Sequence, residues 1–195
     1  MAKRIVPDRC CGLIVDVQKF FLAQLDRRHR AGIVANTRNL VRLFDHFNIP
    51  VVVTLERPIE KKGVLPREIA THLGGRAETF EKDFFDLCKE KTIKRHLARL
   101  RRKQMIVAGC ETDVCVLQSC LGLLSLGYEV YVMEELLFSS SRNVTAAIVR
   151  MQNEGAVFLT YKTLYYELIE SVGADSLPRD LPDAAILASE AGKKA

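Results

Sequence analysis

The sequence predicts one α/β domain built on a parallel sheet with helices on both faces. Short, continuous apolar runs such as Cys10 to Val17 and Met105 to Ala108 have the character of strands buried on both sides. Amphipathic stretches of helical length separate these runs, and glycines close several elements, notably Gly109, Gly127 and Gly155. A chain of 195 residues is long enough for one domain with a full core and cramped for two.

In order, Cys10 to Val17 reads as a buried strand. Ile33 to Phe47 reads as an amphipathic helix with Ile33, Leu40, Val41, Phe44 and Phe47 on one side. Pro50 to Leu55 is the second strand. Glu56 to Gly75, with Pro58, Gly63, Pro66, Gly74 and Gly75, is mostly loop with a short helix near Pro66 to Leu73. Thr79 to Lys82 is a short strand, Thr92 to Arg101 a helix and Met105 to Ala108 a strand. Thr112 reads as the N-cap of a helix running to Leu126, with Val114, Leu117, Leu121 and Leu124 at helical spacing. Tyr128 to Met133 is a strand, Ser141 to Asn153 a helix, Ala156 to Thr160 a strand and Thr163 to Ser171 a helix. Right-handed crossovers follow for such an alternation. Residues 1–173 form the domain, and 174–195 read as a C-terminal tail, mobile or packed on a neighbouring subunit.

Composition excludes several classes. The chain is 48% hydrophobic and 27% charged, ordinary for a globular protein. No apolar run approaches the roughly 20 residues of a membrane span, and Met1 to Pro7 has a basic start but no apolar segment of a signal peptide. A cytoplasmic protein without membrane contact is expected. The net charge of +5 gathers at Arg27 to Arg30 and Lys89 to Lys103; without interleaved aromatics, the second cluster reads as a solvated helix face rather than a nucleic-acid patch. The six cysteines (Cys10, Cys11, Cys88, Cys110, Cys115, Cys120) lie mostly in apolar runs and read as reduced thiols. No C-x-x-C pair or H-x-x-x-H pattern supports a metal site, and neither dinucleotide nor P-loop glycine fingerprint is present, so no cofactor is expected.

The informative segment is Gly109-Cys110-Glu111-Thr112-Asp113-Val114-Cys115-Val116. It places Cys115 in the first turn of a helix that follows a buried strand, where free N–H groups and the macrodipole favour a thiolate and could hold an oxyanion. In open parallel sheets the site lies outside the strand carboxyl ends. Asp16, closing Leu13-Ile14-Val15, and Lys82, in Phe80-Glu81-Lys82-Asp83-Phe84-Phe85, occupy two more such ends. The three suit a thiol nucleophile, a general base and a cation that steadies both charges. The bland alternatives are a turn residue, a surface lysine and a buried small hydrophobe.

Asp16-Val17-Gln18 with Phe20-Phe21, Lys82 in its segment, and the Gly109 to Val116 run together resemble the isochorismatase-like cysteine hydrolase family, over about Cys10 to Ser171. The resemblance implies a three-layer α-β-α fold with a mostly parallel six-stranded sheet. It also implies an Asp16-Lys82-Cys115 triad cutting a small amide-like C–N bond through a covalent thioester. A cis peptide at Cys110–Glu111, an oxyanion hole from the backbone of Glu111 and Cys115, and a homo-oligomer are implied with it. Gln18, Phe20, Phe21, Phe84 and Glu111 are candidate pocket residues, Phe85 being the other aromatic beside Lys82. Where the nicotinamidase branch has an acidic residue and histidines as metal ligands, this chain has Thr54-Leu55-Glu56-Arg57-Pro58 without a histidine. Its intact cysteine disfavours the vinyl-ether cleavage of true isochorismatases. Hydrolysis of an ester or other small carbonyl compound, and a catalytically idle oligomeric binding protein, are the rival readings.

Overall fold

The computed structural model describes residues 4–171, so the 174–195 tail lies outside the described residues. Six strands form one sheet: β1 (Cys10–Val15), β2 (Val51–Glu56), β3 (Ala77–Lys82), β4 (Gln104–Gly109), β5 (Glu129–Leu137) and β6 (Val157–Leu159). Their order is β3-β2-β1-β4-β5-β6, and every pairing is parallel. The chain winds outward in both directions from β1 and β4, which places a topological switch point between their carboxyl ends.

Five longer helices cover the sheet: α1 (Arg27–His46), α2 (Lys91–Leu100), α3 (Leu117–Ser125), α4 (Thr145–Asn153) and α5 (Tyr161–Ile169). Alternate strand residues feed two cores. On one face Ile14, Val53 and Ile106 meet Leu40 and Phe44 of α1 and Leu164 and Leu168 of α5. On the other, Leu13, Val15 and Val107 meet Ile93 and Leu97 of α2, Leu123 of α3 and Met151 of α4. β1, β2 and β4 are buried along their whole length, as continuous apolar runs require.

Element ends differ from the pattern-based expectation where polar chemistry decides. α1 begins at Arg27 rather than Ile33 because the Asp26 carboxylate accepts the Arg28 and His29 N–H groups, each at 2.9 Å, and caps a basic first turn that has no apolar period. β2 runs one residue further, to Glu56, and β5 four further, to Leu137. Thr112 is no N-cap: its hydroxyl donates to the Phe138 carbonyl at 3.1 Å, and Thr112–Val116 is a single π-helical turn ahead of α3. α2 buries Ile93 and Leu97 and turns its lysines and arginines outward, the solvated basic face expected. Among the described residues no helix is long and apolar enough to cross a membrane.

Candidate active site

Four consecutive places along the sheet's carboxyl edge carry polar side chains that are almost wholly buried. Asp16 follows β1, Glu56 ends β2, Lys82 ends β3 and Cys115 lies in the turn after β4; their exposures are 0%, 9%, 0% and 2%. Strand register makes Glu56 and Lys82 direct neighbours and pairs Val15, just before Asp16, with Thr54 on one side and Gly109 on the other. Lys82 is the one fully buried residue of an otherwise partly exposed edge strand. A lysine in that position is expected only with charged partners.

Backbone geometry brings the sulfur's segment against Asp16. Gly109 has φ +127°, and a Cβ there would lie 1.9 Å from the Val15 carbonyl oxygen, so only glycine lets β4 close on β1 at this point. The Cys110 N–H then donates to Val15 O at 2.9 Å, and the Cys110 thiol to Asp16 O at 3.0 Å. Asp16 itself sits at φ 51°, unusual for a non-glycine residue, and such residues cluster at functional sites. The Cys110–Glu111 peptide is cis, as the resemblance implied.

The charges are closely coupled. Lys82 Nζ lies 2.7 Å from Asp16 Oδ2, 3.3 Å from Cys115 Sγ and 3.7 Å from Glu56 Oε2. Asp16 Oδ1 accepts the Thr54 hydroxyl at 2.8 Å. The Cys115 thiol donates to Glu56 Oε2 at 3.0 Å, and the other Glu56 oxygen pairs with Lys62. Burial pushes the Asp16 carboxyl up, and Lys82 offsets only part of that. Burial would lower the Lys82 ammonium, but Asp16, Cys115 and Glu56 outweigh it and hold it above the usual lysine value. The Cys115 thiol is pushed up, first by burial and then by Asp16, with Lys82 pulling the other way. Burial and the carboxylates of Asp16 and Glu56 thus work against the thiolate expected at a helix N-terminus, and Lys82 works for it. Cys115 lies inside the π-helical turn that follows Glu111, and burial is the largest influence on its sulfur.

Sequence reasoning brought together Asp16, Lys82 and Cys115 and missed Glu56 as their fourth partner. The Gln18 amide bonds to backbone on either side of it. Its Nε2 donates to Glu56 O (3.2 Å) and Gly63 O (2.7 Å) and its Oε1 accepts the Glu56 N–H (2.8 Å), which ties the end of β2 to the turn at Gly63. The Glu111 carboxylate turns to the Ser140 N–H at 3.0 Å rather than toward the sulfur. Phe21 belongs to the core, while Phe20, Phe84 and Phe85 are half exposed. Oxygen and sulfur atoms of Asp16, Glu56 and Cys115 lie within 4.8 Å of one another, a set able to hold a metal ion, but the Lys82 ammonium already stands among them as the compensating cation.

The isochorismatase domain pattern matches residues 10–163. The secreted isochorismatase effector Isc1 of Phytophthora sojae is 30% identical over 175 residues, 87% of this chain and 81% of that protein. The MAR1 ribonuclease of Caenorhabditis elegans shares the fold at a TM-score of 0.81 and 23% identity, covering 94% of this chain and 97% of the other. YcaC from Escherichia coli, an octameric hydrolase of unknown specificity, does so at a TM-score of 0.81 and 22% identity, covering 88% and 84%. With the domain pattern spanning most of its length and the sheet order and switch-point site in place, the chain belongs to the isochorismatase family.

Proposed function

We propose that this isochorismatase-family protein is a metal-independent cysteine hydrolase that cleaves a small amide-like C–N bond with Asp16, Lys82 and Cys115. The observation that carries the reading is the buried Lys82 ammonium, 2.7 Å from a carboxylate and 3.3 Å from a thiol. An ion pair of that kind is costly to bury and is of direct use to a nucleophile. The raised carboxyl of Asp16 suits a base that must later act as an acid.

In the first half-reaction Cys115 gives its proton to Asp16 and Sγ attacks the carbonyl carbon. Lys82 balances charge as it passes from carboxylate to sulfur, and the backbone N–H groups of Glu111 and Cys115 are proposed to receive the oxyanion. The C–N bond breaks, Asp16 returns the proton to the leaving nitrogen, and a thioester stays on Cys115. Water, deprotonated by Asp16, then attacks the thioester carbon; the C–S bond breaks and the free acid and thiol are restored. A small ester could pass through the same steps.

We further propose a cytoplasmic homo-oligomer. The six cysteines, all free and buried, fit a reducing compartment, and octameric YcaC supports self-assembly. A panel of small primary amides assayed for ammonia release tests the activity. Hydrolysis abolished in Cys115→Ala is the expected result; a Cys115→Ala protein that keeps the full rate contradicts the reading.

A further inference from the structure

Glu56 touches the reacting sulfur, and the triad mechanism does not use it. Its Oε2 accepts the Cys115 thiol hydrogen at 3.0 Å. Asp16 is also within hydrogen-bond reach of the sulfur, but a thiol has a single hydrogen, so the two carboxylates compete for it and the Glu56 bond draws it away from Asp16. The carboxylate is held in place from three sides: Gln18 brackets its backbone through N–H and carbonyl, Lys62 pairs with its second oxygen, and Lys82 lies 3.7 Å away. Burial would raise the Glu56 carboxyl, but its bonds to Lys62 and the thiol, with Lys82, outweigh burial and keep it below the usual glutamate value. An anion facing a sulfur disfavours the thiolate. Glu56 also carries most of the solvent exposure of the four groups, at 9% against 0–2% for the rest.

We propose that Glu56 is a fourth catalytic residue, whose carboxylate holds the Cys115 thiol protonated in the free enzyme to a degree that Lys62 sets by neutralising it. Reaction then requires the S–H bond to turn from Glu56 to Asp16. Asp16 takes the proton, and the sulfur electron pair forms the bond to the carbonyl carbon. In the unoccupied protein Glu56 thereby restrains, without abolishing, the reactivity that Lys82 gives Cys115. This rests on Cys115 being the nucleophile.

The test is the rate of Cys115 alkylation by iodoacetamide at pH 8, read by peptide mass spectrometry on the full folded chain. Wild type, Glu56→Gln, Lys62→Met and Lys82→Ala are compared, with thermal melting run on each. Glu56→Gln removes the restraining charge and should speed Cys115 by about tenfold, the effect of a one-unit fall in thiol pKa. Lys62→Met leaves Glu56 unneutralised and should slow it several-fold. The opposite signs matter, because a fold merely loosened at this edge would speed both. Acceleration in both variants, or a Glu56→Gln rate equal to or below wild type while Lys82→Ala still slows Cys115, overturns the role of Glu56 and leaves the nucleophile standing. No response to Lys82→Ala overturns the nucleophile itself. Should Glu56→Gln not fold, slowing in folded Lys62→Met carries the proposal and acceleration there overturns it.

Discussion

The two ends of the sheet bury polar groups for different ends. At the amino edge the amide nitrogen of Gln104, fully buried, shares its two hydrogens among Arg4 O (2.8 Å), Glu129 Oε2 (3.0 Å) and the Tyr131 hydroxyl (3.3 Å), while its Oε1 accepts the Val6 N–H (2.9 Å). Cys10 beside it donates to Val6 O at 3.1 Å, and burial pushes its thiol up to about 12, with Arg102 and Arg9 offsetting only part of that. At the carboxyl edge Cys115 is also buried and its thiol also raised, but it faces Lys82, Asp16 and Glu56. A hub centred on a neutral amide ties the N-terminal segment to the sheet. A coupled cluster of charges around a thiol stabilises little for its burial cost, and that imbalance marks the reactive end.

The sharpest way to break this contrast is to exchange the cysteines' fates. Cys115→Ala should reduce turnover at least about 1000-fold, as removal of a covalent nucleophile does, with a melting temperature near wild type. Cys10→Ala should leave kcat unchanged, measured on the same amide. Lys82→Met should abolish activity and destabilise by about 3–5 kcal/mol in urea unfolding, because it strands Asp16 in the core. A pH profile sharpens the assignment further. Asp16 must be ionised to accept the proton and burial raises its carboxyl, so activity should fall as pH drops through a midpoint above the ordinary value of about 3.9. Asp16→Asn should show no such acid limb on its residual rate. At the other end Gln104→Leu should cost about 1–3 kcal/mol of stability by leaving the Val6 N–H and Arg4 carbonyl without partners, with kinetics intact. The smallest effect belongs to the exposed Arg9–Glu129 pair at 3.1 Å, where Arg9→Ala should change stability by less than about 1 kcal/mol.

Much of this was legible in the sequence because apolar runs and strand-end chemistry are local signals. Leu13 to Asp16 and Gly109 to Cys115 each show an apolar strand broken by a residue with no packing reason to be there. Val51 to Glu56 carries the same signature, yet a strand ended at Leu55 leaves Glu56 in a loop, and that Glu56 lies beside Lys82 emerges only from the β2–β3 register. Gln18 and Glu111 look like pocket residues because they flank the triad in sequence. Their amide and carboxylate are committed to Gly63, Glu56 and Ser140, partners set by tertiary folding. The raised thiol was hidden for a similar reason, since a helix N-terminus can be read from residue types and desolvation cannot.

The central claim is that Lys82 makes Cys115 the reactive thiol among six buried ones. Alkylation of all six cysteines should be followed by peptide mass spectrometry across pH, in wild type and Lys82→Ala. The account predicts that Cys115 outpaces Cys10 and the rest and slows at least about tenfold without Lys82, the equivalent of one pKa unit. A Cys115 that reacts no faster than Cys10, with a rate indifferent to Lys82, would contradict it.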